Sequence, residues 1–99
     1  MPRVRTRPGE ILREEFMVPL GLSANALAMA LRVPATRIGD ILRAKKPRAV
    51  SADTAMRLAR YFGTTAQFWL NLQSAYDLSI AEKEAGAEIE RDVRPREAA

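Results

Sequence analysis

The densest group of chemically useful side chains in this sequence is a run of cations between residues 32 and 48. It contains Arg32, Arg37, Arg43, Lys45, Lys46 and Arg48, with Asp40 as the one acid. Guanidinium and ammonium groups bind phosphate oxygens, and a surface that neutralises phosphates gains affinity as condensed counterions are released. The segment therefore predicts contact with a polyanion such as nucleic acid. A cationic surface that only aids solubility is the alternative.

The remaining charge is distributed in a way that supports this interpretation. Residues 1–50 hold ten basic and four acidic residues, a net charge of +6, whereas residues 51–99 hold six basic and eight acidic residues, a net charge of −2. An uneven distribution of this kind steers one side of a protein toward a charged partner. We expect the first half of the chain to face the polyanion.

The residue types that most enzymes and metal sites use are missing. The sequence contains neither histidine nor cysteine, which removes the commonest general base, the commonest metal ligand and any disulfide. The remaining candidates are carboxylate pairs at Glu14 and Glu15 and at Glu82 and Glu84, and such charge runs are usually solvated helix faces. The sequence therefore predicts a protein that is not an enzyme and has no metal, cofactor or small-molecule substrate.

Length and composition favour one soluble domain. Ninety-nine residues, of which 47% are hydrophobic and 28% charged, are enough for one packed core, and two cores of half this size would be too small to be stable. No apolar run approaches the ~18 residues that a membrane span needs, and no apolar segment follows the basic N-terminus as it would in a secretory signal. We expect a cytoplasmic protein without membrane contact.

Hydrophobic spacing and capping residues predict five helices. Pro8 favours the start of the first, Ser23 and Ser51 are N-cap residues for the second and fourth, and Thr64 with Gln67 forms a capping box for the fifth. The predicted ranges are 8–17, 24–31, 35–43, 52–62, and from the Thr64 cap to about 84. Residues 1–7 are then a basic arm, residues 8–84 a compact all-α domain, and residues 85–99 a charged flexible tail.

The second and third predicted helices have the spacing of a helix-turn-helix. Ala28 is small enough for two steeply crossed helices to approach closely, and Val33 and Ile38 fill the space beneath the turn. Ile41 and Leu42 follow Ile38 at core spacing, so the opposite face of the third helix must point outward. A helix presented in this way can enter the major groove of duplex DNA.

The outward face of the third helix carries side chains that can read bases. Arginine pairs with guanine, threonine contacts several bases, and aspartate accepts from the cytosine amino group. The predicted base-contacting residues are Ala35, Thr36, Arg37, Asp40 and Arg43. The predicted phosphate-contacting residues are Ser23, Asn25, Arg32, Lys45, Lys46 and Arg48. The alternative is that part of this face pairs internally, because Asp40 lies three residues from both Arg37 and Arg43.

The fifth helix carries more bulky apolar residues than one buried stripe requires. One stripe can face the core, and a small monomer seldom exposes a second aromatic stripe, which predicts a homodimer formed through this helix. A two-fold dimer would place the two third helices about 34 Å apart, on successive major grooves. The predicted dimer residues are Phe68, Trp69, Leu72, Tyr76 and Ile80. Candidates for the dimer rim, or for plain surface polarity, are Asn71, Gln73 and Asp77. Coverage of both stripes within one chain is the alternative.

Four segments of the sequence carry recognisable motifs: RPGEILREEF at 7–16, PLGLSxNxLA at 19–28, ADTAxRLARYFGT at 52–64 and FWLNLQxxYDL at 68–78. Together they resemble the HigA antitoxin family of the Xre-type helix-turn-helix superfamily, and the resemblance covers residues 7–80. Arg7 stands where this family often has histidine, and Arg32 and Ala44 stand where it usually has glycine.

The resemblance implies a λ-repressor-like domain that binds its own operator as a dimer. It also implies repression of a toxin–antitoxin operon and neutralisation of a small RelE-like or HigB-like toxin that cleaves messenger RNA, in a bacterial cytoplasm or on the nucleoid. An orphan Xre repressor without a toxin would carry the same DNA-binding residues. A third hypothesis is an adaptor that uses its helices for protein contacts only.

Overall fold

The structure, a computed structural model, describes residues 3–97 as five helices joined by short turns. The first helix, α1, covers residues 8–20 and consists of Pro8–Ile11, a π-helical turn at Leu12–Met17, and Val18–Leu20. The others are α2 (Ala24–Leu31), α3 (Ala35–Leu42), α4 (Ala52–Phe62) and α5 (Ala66–Asp92). No strand occurs in the described range, so the all-α prediction is confirmed there. Residues 1–2 of the predicted arm and 98–99 of the predicted tail lie outside it.

The ends of α2 and α4 form where the sequence predicts them. The Ser23 hydroxyl accepts a hydrogen bond from the Ala26 N–H at 3.0 Å, and the Ser51 hydroxyl accepts one from the Thr54 N–H at 3.3 Å. These contacts satisfy N–H groups that have no partner within the first turn of a helix. Gly63 ends α4 in the left-handed conformation, with φ at 74°.

The start of α5 differs by one residue from the prediction. Thr65 is the N-cap, and its hydroxyl accepts from the Phe68 N–H at 3.0 Å. The Thr64 hydroxyl instead accepts from the indole Nε1–H of Trp69 at 2.8 Å. A buried indole needs such an acceptor. Of the two adjacent threonines, Thr65 therefore caps the helix and Thr64 accepts the hydrogen bond of the buried Trp69 indole.

Two helices are longer than their apolar patterns indicate. α1 continues past Met17 to Leu20, and its π turn, in which the Val18 N–H donates to the Arg13 carbonyl, ends two residues before Pro19. α5 continues from the predicted end at Glu84 to Asp92, so the prediction that residues 85–92 belong to a flexible tail is wrong as to secondary structure. The molecule measures 54 × 28 × 22 Å as a result, which is more elongated than predicted.

The core joins all five helices. Its completely or almost completely buried large residues include Leu12, Leu27, Ile38, Ile41, Leu58 and Trp69. Phe16 links α1 to the rest through aromatic contacts, with ring centroids 4.9 Å from Phe62 and 5.0 Å from Trp69. Most of these positions follow from the helical spacing of apolar residues, and Val50, in the loop before α4, is buried beside them.

The C-terminus of α3 packs directly on the N-terminus of α1. A Cβ atom on Gly9 would overlap the carbonyl oxygen of Ile41, so glycine is required for this approach. Two guanidinium groups then bind the next carbonyl: Arg7 donates to the Leu42 oxygen at 3.0 Å and Arg13 donates to it at 2.9 Å. The position of α3 relative to α1 is fixed by backbone contact together with these two hydrogen bonds.

Within residues 3–97, no helix combines the length and the apolar character required to cross a membrane.

We expect Gly9→Ala to lower the free energy of unfolding by about 1–3 kcal/mol, because the added methyl group overpacks the α1–α3 contact. Gly39→Ala is the matched control, since nothing lies within 4 Å of a Cβ there and the residue is in the middle of α3. That substitution should raise stability by about 0.5–1 kcal/mol. Urea unfolding followed by circular dichroism measures both changes. Equal effects of the two substitutions would contradict the proposed contact.

Candidate nucleic-acid interface

The segment from α2 to α3 folds as the predicted helix-turn-helix. Ala28 is buried where the two helices meet, and the Val33 N–H in the turn donates to its carbonyl at 3.0 Å. Ile38 and Ile41 hold α3 against the core, and Thr36 on its opposite side is exposed. The outer face of α3 is therefore available to a partner along its length, starting with Ala35 in its first turn.

Arg37 does not pair with Asp40, as its spacing had suggested, but with Asp53 in the first turn of α4. The Arg37 Nη1 lies 2.7 Å from the Asp53 Oδ2, and the Arg37 side chain is 26% exposed. Only part of this predicted base-contacting guanidinium is therefore free for DNA. Asp53 is not among the predicted interface residues, because it lies 16 positions from Arg37 and no local spacing relates the two.

Asp53 also binds a second arginine. Arg57, one turn further along α4, donates from Nε to the same Oδ2 at 2.9 Å, and from Nη1 to the Leu31 carbonyl that ends α2, at 2.8 Å. The hydrogen bonds from Arg57 and then from Arg37 hold the pKa of the Asp53 carboxyl below its ordinary value. The pair of Arg57 and Asp53 has the i, i+4 spacing by which it could have been found from the sequence.

Arg43 is not on the helix face where it was predicted. α3 ends at Leu42, and Arg43 is an extended C-cap residue. Its Nη1 donates to the Asp40 Oδ1 at 3.1 Å, which confirms the pairing considered as an alternative, and its Nε donates to the Lys46 carbonyl at 3.0 Å. Arg48 Nη1 lies 4.0 Å from the other Asp40 oxygen. Asp40 thus holds two of the predicted DNA-contacting cations and has less acceptor capacity left for a base.

The predicted phosphate-contacting cations surround α3 with exposed side chains. They are Arg32, Lys45, Lys46 and Arg48. Two of them have left-handed backbones, with φ at 61° for Arg32 and 48° for Lys46. Long side chains seldom adopt this conformation, and residues held in it cluster at functional sites. Both residues therefore supply a cation at a turn that would otherwise favour glycine.

The remaining two phosphate candidates lie at the start of α2. The Ser23 hydroxyl caps this helix, and Asn25 is exposed in its first turn. The N-terminus of a helix carries partial positive charge and unpaired N–H groups, both of which favour a phosphate. The structure therefore places these two residues at a suitable helix end.

The predicted dimer residues on α5 fall into two groups. Trp69 is completely buried within its own chain, so the prediction that it contacts a partner is wrong. It belongs to the stripe that faces α1 and α4. The other predicted residues keep part of their surface: Phe68 is 37% exposed, and Leu72, Tyr76 and Ile80 are half-buried.

The polar residues of α5 mostly bind within the chain. Gln73 accepts from the Val50 N–H at 2.7 Å and donates to Asp77 at 2.9 Å, while Gln67 donates to Asn71 at 2.7 Å. Gln73 is thus a structural residue that fixes the loop before α4. The basic arm also lies on this helix, since the Arg5 N–H donates to the Ser79 hydroxyl at 2.9 Å.

The described residues contain no cluster of acidic side chains that could hold a metal ion, and neither histidine nor cysteine occurs in the sequence. The interface offers hydrogen-bond donors and positive charge. Guanidinium, ammonium and hydroxyl groups on and around an exposed helix suit the phosphates and base edges of a duplex.

Comparisons with known proteins point the same way. The helix-turn-helix family matches residues 12–69. Virulence-associated protein I of Dichelobacter nodosus is 57% identical over 84 residues, covering 85% of this chain and 74% of the relative. Antitoxin HigA-1 of Vibrio cholerae is 36% identical over 81 residues, covering 79% of this chain and 74% of the relative.

A solved structure extends this similarity to nearly the whole chain. The Pseudomonas aeruginosa antitoxin HigA, solved with the higBA promoter, superimposes with a TM-score of 0.84 at 47% identity, covering 96% of this chain and 98% of that one. The similarity includes both the helix-turn-helix and the long last helix. The chain therefore belongs to the Xre-type helix-turn-helix family, and within it to the DNA-binding antitoxins of the HigA type.

Proposed function

We propose that this protein represses its own toxin–antitoxin operon as a homodimer and neutralises a RelE-like or HigB-like toxin that cleaves messenger RNA. The observation that carries the DNA-binding part is the outer face of α3, which is exposed, begins with Ala35 and Thr36, and is surrounded by cations. An exposed helix of this kind reads bases in the major groove, while the surrounding cations bind phosphates.

In a dimer, the α3 helix of the second copy contacts the second half of the operator. Phe68, Leu72, Tyr76 and Ile80 on α5 retain exposed apolar surface, and burying it between two copies is favourable. Two α3 helices related by a two-fold axis meet successive major grooves of one duplex, so a partly palindromic operator is expected.

Toxin neutralisation is supported by the family alone, through the similarity to antitoxins named HigA. Co-expression of this chain with the gene adjacent to its own tests it directly. Rescue of growth, and a complex that binds the DNA upstream of the two genes, are expected. Growth arrest without rescue, together with operator binding by the chain alone, would favour the orphan repressor.

Arg37→Ala is expected to weaken binding to the preferred duplex by about 1–3 kcal/mol and to relax base preference, because a base contact is lost. Lys45→Ala is the matched control, since it removes one exposed cation of the loop between α3 and α4. It should lower affinity equally for preferred and scrambled duplexes and reduce the slope of log K against log salt by about one. Fluorescence anisotropy over a salt series, on a duplex selected from a random pool, measures both. The same loss on both duplexes for Arg37→Ala would contradict base reading.

Arg32→Gly is expected to change stability and DNA affinity in opposite directions. Glycine removes the cost of a left-handed side-chain-bearing residue, which raises the free energy of unfolding by about 1 kcal/mol. Loss of the cation lowers DNA affinity and reduces the salt slope by about one. Arg32→Lys, which keeps both the charge and the strain, should change neither. Urea unfolding and anisotropy on the same samples test this, and a fall in stability would show that the backbone there is not strained.

Ile80→Asp is expected to convert the dimer to a folded monomer, because a carboxylate would be buried between the two copies. Leu78→Asp is the control, since Leu78 is 60% exposed and lies on the other side of α5 two residues away. Sedimentation velocity gives the mass, and circular dichroism confirms that both variants keep their helices. A folded monomer for the unmutated chain would refute the dimer.

A further inference from the structure

We propose that Asp53, which lies outside the helix-turn-helix segment, is a positioning residue for sequence reading, and that it acts by holding Arg37 in one orientation at the start of α3. This inference rests on the proposed DNA-binding function and adds to it a residue that determines specificity.

Three helices are linked through Asp53 Oδ2, α3 and α4 by direct hydrogen bonds and α2 through Arg57. Asp53 Oδ2 receives Arg37 from α3 at 2.7 Å and Arg57 from its own helix at 2.9 Å. Arg57 is in turn held by the carbonyl of Leu31 at the end of α2, at 2.8 Å. The carboxylate is therefore fixed by both α2 and α4, and it transmits this fixed position to a side chain of α3.

Arg37 gains orientation from this contact without losing its ability to bind DNA. A guanidinium has five N–H donors in a planar fork, and the ion pair engages Nη1, so donors on other nitrogens remain for a base edge. An unrestrained arginine side chain loses much of its rotamer entropy when it is ordered. Because Asp53 orders the Arg37 side chain in the free protein, this entropy is lost on folding and is not lost again on DNA binding.

The carboxylate also has an unfavourable effect on DNA binding in general. A negative charge beside the phosphate backbone opposes binding to any duplex, and it cancels one of the two cations that flank it. Asp53 should therefore lower affinity for random DNA while raising affinity for the correct site. A residue that only affected phosphate binding would change both affinities in the same direction, so opposite changes indicate a positioning role.

A purely stabilising role for the ion pair fits the structure less well. The Asp53 side chain is 57% exposed, and exposed ion pairs contribute little to folding. Ser51 already caps α4 by accepting from the Thr54 N–H, so this N–H has a partner without Asp53. The feature that the geometry does explain is the position of the Arg37 guanidinium.

The test compares Asp53→Asn with Asp92→Asn, which removes the same charge from a different ion pair, with Arg91 at the exposed end of α5. Affinities are measured by anisotropy at several salt concentrations on the duplex selected by the unmutated protein and on a scrambled duplex of the same composition. For Asp53→Asn, the ratio of the two affinities should fall by about 3- to 30-fold, the upper limit being complete loss of rotamer ordering. Affinity for the scrambled duplex should rise, with a steeper salt slope. Asp92→Asn should leave the ratio unchanged.

A double-mutant cycle makes the mechanism testable. If Asp53 acts through Arg37, then Asp53→Asn should have no further effect on the affinity ratio once Arg37 is alanine. Thermal unfolding of each variant identifies any loss of folding. An unchanged ratio for Asp53→Asn, or an effect that persists in the Arg37→Ala background, would overturn the inference while leaving operator binding in place. Absence of any preference in the unmutated protein would instead refute the proposed function.

Discussion

The carbonyl groups at the end of α3 attach this helix, the proposed recognition helix, to the body of the domain. Ile41 presents its oxygen to the backbone of Gly9, and Leu42 presents its oxygen to the guanidinium groups of Arg7 and Arg13. The C-terminus of a helix carries partial negative charge, so cations placed there are stabilising as well as geometrically restraining. Together with the buried Ile38 and Ile41, this contact at the end of α3 fixes which side of the helix faces outward. The outer face of α3, the turns that flank it and the expected distance between the two α3 helices of a dimer all depend on that attachment.

Acidic residues organise the basic surface around α3. Asp40 engages Arg43 and Arg48, while Asp53 engages Arg37 and Arg57. Asp53 thus accepts hydrogen bonds from two guanidinium groups, whereas Asp40 accepts one from Arg43 and lies 4.0 Å from the Arg48 guanidinium. Such an arrangement reduces the net charge that attracts any polyanion, and in exchange it gives the surface a defined pattern of donors.

Local patterns predicted the parts of the fold that local physics determines. The caps at Ser23 and Ser51 and the anchoring residues Ile38 and Ile41 follow from hydrogen bonding within one turn and from helical periodicity. The contact between Arg37 and Asp53 and that between Gln73 and the Val50 N–H join positions far apart in sequence, and nothing in either neighbourhood indicates them. The same applies to Trp69, whose stripe on α5 could have faced the core or a partner. The continuation of α5 beyond Glu84 was not predicted, because half of residues 85–92 are charged and Ile89 is the one large apolar residue among them, so the segment shows no apolar period.

The ion pairs of the interface have a consequence for how the protein responds to its surroundings. Histidine is the side chain that ordinarily changes its charge near pH 7, and it is absent from the sequence. Guanidinium groups in general stay protonated in proteins. The contacts of Asp53 lower the pKa of its carboxyl, so the charged form of this group persists further into acid, and the pairing is lost only as the pH falls through that lowered value. Acidification of a cell within ordinary limits therefore leaves the negative charge of Asp53, and with it the pairing, in place.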